Sequence, residues 1–239
     1  MRQRLDEALI KEGKANDKGD AFIIVTEGRV LVNGQKAVSP SQMVGEDDEV
    51  EVVGEKEYVG RGAYKLEAAL AKFNIDVHEK VCADIGSATG GFVEVLLKRG
   101  AKKVYAIDTA RGKLALKLRE DPRVAVMEET DVRDIESLPE RPELITGDVS
   151  LISLRGILPA VKKLSPDAEV VVLFKPQYET RDPSILRHGV ITDEAARAAL
   201  LSDFKEWLES NSWEILGLME SPIRGSEGNI EYLFNIHQK

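Results

Sequence analysis

The chain has 239 residues and a mass of 26.4 kDa, with 43% hydrophobic and 31% charged residues, which excludes a mostly disordered or a collagen-like protein. The longest apolar runs are far shorter than the roughly 20 residues of a membrane span. The N-terminus has no continuous apolar stretch of the kind found in signal peptides. The only cysteine is Cys82, so a disulfide framework and a cysteine-based metal cluster are excluded. We therefore expect a cytoplasmic protein without a metal site.

The charge of the chain is unevenly distributed. The formal net charge is −9 and the pI is about 5.1, which on average argues against a nucleic-acid partner. Residues 1–36, however, hold seven basic groups against six acidic ones, whereas residues 46–57 hold seven acids against one lysine. The average over the chain therefore does not decide the charge of any one face.

The first sixty residues have the pattern of a compact module. Leu5, Ala8 and Leu9 have the spacing of one helical face. The pair Asn33-Gly34 follows a short apolar strand and is a strong signal for a hairpin turn. The remaining predicted elements are a second helix at 21–27 and a strand at 49–53. The polar stretch 55–60 is predicted to be a linker.

After this stretch, strand-like and helix-like segments alternate, which predicts an α/β fold with a doubly wound sheet covered by helices on both faces. The predicted strands and short apolar runs are 81–85, 104–107, 124–127, 144–149, 170–174, 213–219 and 230–236. The predicted helices are 64–73, 91–99, 113–119 and 193–209. Because too few residues separate the last two strands for a crossover helix, we expect these two strands to pair antiparallel at one edge.

A glycine-rich turn between the strand at 81–85 and the following helix is the sharpest local feature. Gly86, Gly90 and Gly91 let the backbone pass close to a ligand. Turns of this composition also occur for purely structural reasons, so the glycines alone do not decide between a ligand site and a turn.

Acidic residues at strand ends narrow the choice of ligand. Asp84 precedes the first glycine, where a carboxylate would repel a pyrophosphate but suits an amine or another cation. Asp108 ends the next strand, where an acid can accept hydrogen bonds from ribose hydroxyls, and Asp131 follows the third strand, where it could meet an adenine edge. An amine, a ribose and an adenine without phosphate describe S-adenosylmethionine (SAM). The alternative is that Asp108 and Asp131 cap helices.

Four further charged residues could do chemistry. Lys175 directly follows an apolar strand, Asp148 and Glu231 lie at the ends of other strands, and Lys65 lies on the helix before the glycine loop. Two lysines and two acids could form one network around an alcohol, in which a lysine shielded from water acts as the base. Taken singly, each of the four also fits a solvated surface charge, and their spacing alone does not bring them together.

Several motifs, in this order, resemble those of the hemolysin A family of ribosomal RNA 2′-O-methyltransferases, which is related to the FtsJ-type methyltransferases. They are RLDEAL, GRVLVNG, RGAYKLEAAL, DIGSATGGF, LREDPRV, DVSLISL, LFKPQYE and SPIRGSEGNIEYL. The resemblance implies an α+β RNA-binding module of the ribosomal-protein S-four type, with its linker, at 1–60. It also implies a Rossmann-like, SAM-dependent methyltransferase domain at 61–239, with a mostly parallel seven-stranded sheet whose last strand is antiparallel.

The resemblance also implies roles for individual residues. The catalytic tetrad of the FtsJ type falls on Lys65, Asp148, Lys175 and Glu231, with Lys175 deprotonating or orienting a ribose 2′-hydroxyl, Asp148 and Glu231 supporting it, and Lys65 steadying the substrate. The implied cofactor-binding residues are Asp84, Gly86, Ser87, Thr89, Gly90, Gly91, Phe92, Asp108 and Asp131. The implied RNA-binding residues are Arg2, Arg4, Lys11, Lys14, Lys18, Arg29 and Arg61. The implied substrate is a cytidine of ribosomal RNA, carried on the RNA itself or on ribosomal subunits, and neither a metal nor a membrane is implied.

The chain departs from the family pattern in its RNA-binding module. Asp17-Lys18 stands where the family usually has a Ser-Arg pair, and Glu129-Thr-Asp131 replaces a more basic stretch. These differences weaken the inference of RNA contact more than that of SAM binding. A catalytically inactive RNA-binding protein of the same fold, and a membrane-active hemolysin, are the alternative functions. The sequence offers no span and no cationic amphipathic helix in support of the second.

Overall fold

The computed structural model describes residues 2–54, 57–225 and 227–239. Contacts between Cα atoms divide the chain into two compact units, Met1–Arg61 and Gly62–Lys239. Two residues of the predicted linker, Glu55 and Lys56, lie outside the described residues.

The N-terminal unit contains two helices and short strands. Its elements are β1 (Gln3–Arg4), α1 (Leu5–Lys11), α2 (Lys18–Thr26), β2 (Val30–Val32), β3 (Gln35–Lys36), β4 (Met43–Val44) and β5 (Val50–Val52). The predicted hairpin is confirmed, because Val32 pairs with Gln35 and both turn residues, Asn33 and Gly34, have positive φ. Helix α2 begins earlier than predicted because the Asp17 side chain caps it, accepting a hydrogen bond of 2.8 Å from the Asp20 amide.

The C-terminal unit is built on one seven-stranded sheet in the order β11-β12-β10-β9-β6-β7-β8. Its strands are β6 (Val81–Ile85), β7 (Lys103–Ile107), β8 (Val124–Met127), β9 (Leu144–Gly147), β10 (Glu169–Phe174), β11 (Trp213–Glu220) and β12 (Tyr232–Gln238). Its helices are α3 (Gly62–Phe73), α4 (Gly91–Lys98), α5 (Leu116–Arg119), α6 (Leu154–Leu164), α7 (Pro176–Glu179) and α8 (Glu194–Ser210). The last strand alone runs antiparallel to its neighbours, so the predicted fold class is confirmed.

Helices α5 and α6 of the C-terminal unit differ from the sequence prediction, and the short helix α7 was not predicted. Helix α6 was not predicted, since Gly156 and Pro159 interrupt its pattern, and its N-terminus is held by Glu179, which accepts a hydrogen bond of 2.7 Å from the Leu154 amide. Helix α5 is shorter than the predicted 113–119. The residues before it form a loop, in which the Gly112 amide donates to the Glu128 carboxylate at 2.9 Å.

The core fixes the sheet and, with it, the edge where ligands bind. Phe174 at the end of β10 packs against Phe204 of α8 and Phe234 of β12, with ring centroids 4.7 and 5.9 Å away. The chain moves outward from β6 to β8 and then returns to place β9 on the other side of β6. Such a reversal opens a crevice at the carboxyl ends of parallel strands, which is where open α/β sheets bind ligands. Among the described residues, no helix combines the length and the apolarity needed to cross a membrane.

Candidate active site

The glycine loop lies against the neighbouring strand at the crevice. Gly86 has a φ of +79°, and a Cβ placed on it would come within 2.8 Å of the Asp148 carbonyl oxygen. Because that neighbour is backbone, it cannot move aside as a side chain could, and the position requires glycine. The amides of Gly86 and Ser87 both donate to the Ile107 carbonyl, at 2.9 and 3.2 Å. The loop therefore closes over the ends of β7 and β9.

A cavity of about 370 Å³, the first cavity, opens at these strand ends. It is lined by three of the predicted cofactor residues, Gly86, Asp108 and Asp131, and by the catalytic candidate Asp148. Apolar side chains form much of its remaining wall: Ile85, Ile107, Val132, Val149, Ile152 and Ile157. The other predicted cofactor residues lie beneath or beside the wall and do not line it: Asp84, Ser87, Thr89, Gly90, Gly91 and Phe92.

The two acids at the rim of the first cavity are held differently. The Asp108 carboxylate accepts hydrogen bonds from the amides of Ala88 and Ala110, at 2.8 and 2.7 Å, so it is fixed in place. The Asp131 carboxylate binds the Arg133 guanidinium through both oxygens and caps the short helical turn that follows, and the hydrogen bond from this arginine lowers the pKa of Asp131. The capping alternative therefore holds for Asp131.

Asp84 lies below the first cavity and is only 1% exposed. Its Oδ1 accepts a hydrogen bond of 2.6 Å from the Thr146 hydroxyl, while Oδ2 has no hydrogen-bond partner among the described residues. Burial raises the pKa of this carboxyl to about 7, and the nearby charges of Asp148 and Asp108 act in the same direction. A positive ligand group close to Asp84 would favour its charged form.

Four residues that are far apart in the sequence form two ion pairs. The Lys65 Nζ lies 2.6 Å from the Glu231 Oε2, and both side chains are at most 5% exposed. The Lys175 Nζ lies 2.6 Å from the Asp148 Oδ1, at the ends of the adjacent strands β10 and β9. The structure therefore brings together the four predicted catalytic residues, which the spacing in the sequence could not do.

A second cavity, of about 180 Å³, lies on the other side of Lys175. Lys175 and Glu231 both line it, and so does Tyr178, whose ring centroid lies 5.8 Å from the Lys175 Nζ. Ser150, which sequence reasoning did not single out, lines both cavities and accepts a hydrogen bond of 2.8 Å from the Lys175 Nζ. Ser150 therefore borders both cavities, whereas Lys175 borders the second.

The cations of the N-terminal unit are largely engaged within that unit. The Arg29 guanidinium donates to the carbonyls of Val53 and Gly54, and the Arg4 guanidinium binds Asp6 through two nitrogens. Lys14 donates to the Glu12 carboxylate and to a backbone carbonyl, both at 2.6 Å.

The remaining RNA-binding candidates are less tightly held. Lys18 lies 3.9 Å from Glu7, and the Arg61 guanidinium lies 5.3 Å from the centre of the Phe22 ring. Arg2 and Lys11 are exposed. Lys11 shares a small surface cavity with Glu12, Glu46 and Asp48, so the acids of 46–57 are not segregated from the basic groups of 1–36.

The buried Asp84 carboxyl predicts a pH dependence of stability. Its pKa is about 7 in the folded chain and near 3.8 when unfolded, so the folded state binds the proton more tightly between these values. This group therefore stabilises the fold at low pH, and its contribution is lost as the pH rises from about 4 to about 7. We expect Asp84→Asn, measured by urea unfolding from pH 4 to 8, to become progressively more stable relative to wild type as the pH rises. A constant difference across this range would contradict the assignment.

Comparison with known proteins agrees with this geometry. The FtsJ-like methyltransferase model matches residues 58–237, and the S4 domain model matches residues 3–50. Hemolysin A of Brachyspira hyodysenteriae is 39% identical and covers 96% of this chain and 98% of its own. The 16S/23S rRNA (cytidine-2′-O)-methyltransferase TlyA of Mycobacterium tuberculosis is 39% identical and covers 97% of this chain and 88% of its own.

Solved structures point the same way. A protein of Streptococcus thermophilus that carries a hemolysin name is 36% identical, with a TM-score of 0.76 over 100% of this chain and 89% of that one. The resemblance read from the sequence motifs is therefore confirmed. The chain belongs to the FtsJ-like methyltransferase family and, within it, to the group of the hemolysin A and TlyA relatives, and its own N-terminal residues match an S4 domain.

Proposed function

We propose that the protein is a SAM-dependent methyltransferase that transfers a methyl group to a ribose 2′-hydroxyl of ribosomal RNA, at a cytidine. The proposal rests on two lysine–carboxylate ion pairs, Lys65 with Glu231 and Lys175 with Asp148. Asp148 also lines the first cavity, next to the glycine loop. The TlyA relative that carries the name of this activity matches nearly the whole chain. The proposed place of action is the cytoplasm, where ribosomal RNA is found.

The first cavity fits SAM. The cavity of about 370 Å³ beside Gly86 offers space for a ligand, and Asp108 can accept hydrogen bonds from ribose hydroxyls. The apolar wall suits the adenine part of this cofactor. Asp84 does not line the cavity, and its proposed role is to favour the cationic part through its charge. When bound, SAM supplies a methyl group on a sulfonium, which an alcohol oxygen can take up. The remaining predicted cofactor residues, Ser87, Thr89, Gly90, Gly91 and Phe92, shape the loop and the start of α4.

Lys175 acts on the hydroxyl that accepts the methyl group. Its amine takes the proton of the 2′-hydroxyl as the new oxygen–carbon bond forms, and the Asp148 carboxylate at 2.6 Å stabilises the ammonium that results. Glu231, which the buried ion pair with Lys65 holds in place, lines the second cavity, and Tyr178 offers a ring on which a base can stack. Holding the two reactants in neighbouring cavities makes the transfer effectively unimolecular, which is where much of the rate gain arises.

The S4 domain is the proposed RNA anchor. The cations proposed to meet phosphates are Arg2, Arg4, Lys11, Lys14, Lys18, Arg29 and Arg61. Those already bound to carboxylates or carbonyls in the unit contribute less than the exposed Arg2 and Lys11, because a paired cation releases fewer counterions. Mapping 2′-O-methylation in ribosomal RNA from cells with and without the protein tests the proposal as a whole. If no cytidine depends on the protein, the proposal fails.

Replacing Lys175 tests the assignment of the base. We expect Lys175→Ala to lower the rate of methyl transfer by about 10²–10⁴-fold, as loss of a general base typically does, while the Kd for SAM stays unchanged. Lys163, an exposed lysine of α6, supplies the control variant Lys163→Ala, which should behave as wild type. Single-turnover rates and calorimetric titration provide the two readouts. A Lys175→Ala enzyme that transfers methyl at the wild-type rate would remove the lysine from the mechanism.

The different surroundings of the two rim acids predict different effects on the cofactor. Asp108→Ala should weaken SAM binding by about 1–3 kcal/mol, because ribose hydroxyls lose a fixed acceptor. Asp131→Ala should have a smaller effect, because both oxygens of that carboxylate already bind Arg133. Calorimetric titration of both variants measures the difference, and an unchanged affinity in Asp108→Ala would exclude Asp108 from the site.

Salt dependence distinguishes free from engaged cations in the S4 domain. Each neutralised phosphate of single-stranded RNA contributes about −0.7 to the slope of log affinity against log salt. We expect Lys11→Ala to make this slope shallower by about 0.7 without changing thermal stability. Arg29→Ala should mainly lower the melting temperature, because it removes hydrogen bonds to two carbonyls. Lys72→Ala, at an exposed position outside the S4 domain, is the control, and a slope unchanged in Lys11→Ala would rule out that contact.

A further inference from the structure

Ser150 occupies a position that no other part of the proposed mechanism explains. It lies in the loop after β9, two residues beyond Asp148, and it lines both the first and the second cavity. Its Oγ lies 2.8 Å from the Lys175 Nζ and accepts a hydrogen bond from it. The side chain therefore contacts the amine that is proposed to receive the substrate proton, from the boundary between the two spaces.

The amine has two acceptor oxygens within 2.8 Å, the Asp148 Oδ1 and the Ser150 Oγ. The ion pair with Asp148 describes the ammonium; after it loses one proton, the amine has two N–H bonds and one lone pair in a tetrahedral arrangement. When one N–H bond points to the Ser150 Oγ and the Asp148 carboxylate attracts a second, the lone pair is left in the remaining direction, and Lys175 lines the second cavity. Without the serine oxygen, the amine can rotate about its Cε–Nζ bond, and the direction of the lone pair is no longer fixed.

We propose that Ser150 is a positioning residue for methyl transfer, which fixes the Lys175 amine so that its lone pair faces the acceptor hydroxyl. The inference rests on the proposed function. In the step, the ribose oxygen forms a bond to the methyl carbon, the carbon–sulfur bond breaks with its electron pair remaining on sulfur, and the hydroxyl proton passes to the Lys175 Nζ. Ser150 exchanges no proton. It accepts a hydrogen bond from the amine before transfer and from the ammonium afterwards.

A purely structural role for this hydroxyl finds no support in its surroundings. The N-terminus of α6 is held by a different serine: the Ser153 Oγ accepts from the Arg155 amide at 3.1 Å and donates to Glu179 at 2.6 Å. Ser150 is exposed, and its one hydrogen bond in the described part of the chain is that to Lys175. Ser153 therefore caps a helix, whereas Ser150, three positions earlier, contacts the proposed base.

The test compares Ser150→Ala and Ser150→Thr with two controls. Ser150→Ala should lower kcat by about 10- to 100-fold, the scale of loss expected when a reacting group is misplaced. The KM for an rRNA fragment, the Kd for SAM and the melting temperature should stay at their wild-type values. Ser150→Thr keeps the hydroxyl and should restore most of kcat. Ser153→Ala should lower the melting temperature instead, and Ser202→Ala, in the exposed part of α8, should change neither quantity.

The outcomes separate this inference from the proposed function. If Lys175→Ala is inactive while Ser150→Ala keeps the wild-type kcat, the positioning role of Ser150 is wrong and the proposed function stands. If Ser150→Thr is as slow as Ser150→Ala, the hydroxyl is not the cause, and the inference is overturned as well. If the wild-type protein transfers no methyl group to ribosomal RNA, the proposed function fails, whatever the serine variants do.

Discussion

The close packing of Gly86 against the Asp148 backbone is the constraint on which the site depends. Strands β6 and β9 pair in register up to Ile85 and Gly147, so the glycine loop and Asp148 leave the sheet side by side. A side chain on Gly86 would push these two segments apart, since its Cβ would lie 2.8 Å from the Asp148 carbonyl. One backbone contact therefore sets the distance between the first cavity and Asp148, the proposed partner of the base.

The charges around this contact are arranged for chemistry rather than for stability. Burial raises the pKa of Asp84, and the nearby charges of Asp148 and Asp108 raise it further. Lys65 and Glu231 form a pair that is almost fully buried, and such pairs add little net stability because desolvation offsets their attraction. Removing one partner alone is costly, at about 3–5 kcal/mol. A buried pair of this kind is more readily explained by the fixed Glu231 carboxylate that it gives the wall of the second cavity.

Local sequence patterns predicted most of the sheet and the glycine loop, but not the contacts that complete the site. The strands at 81–85 and 170–174 are short apolar runs with clear boundaries, and both were found. Helix α6 was missed because its N-terminus depends on Glu179, which lies 25 residues further along the chain. The four charged residues could be grouped only through the family resemblance. The role of Ser150 could not be predicted from the sequence, because a serine hydroxyl can be assigned a role only when its hydrogen-bond partner is known.

The difference between free and engaged cations explains why the net charge of this chain is a poor guide to its RNA binding. Counterions are released only by cations that are free to meet phosphates, and composition counts free and engaged cations alike. Arg29 is half-buried and donates to two carbonyls, so it holds the fold of the S4 domain together. Lys11 is exposed but shares its surface with Glu46 and Asp48, which lower the local positive potential. The RNA affinity that we propose for the domain therefore depends on a few exposed cations and their acidic neighbours.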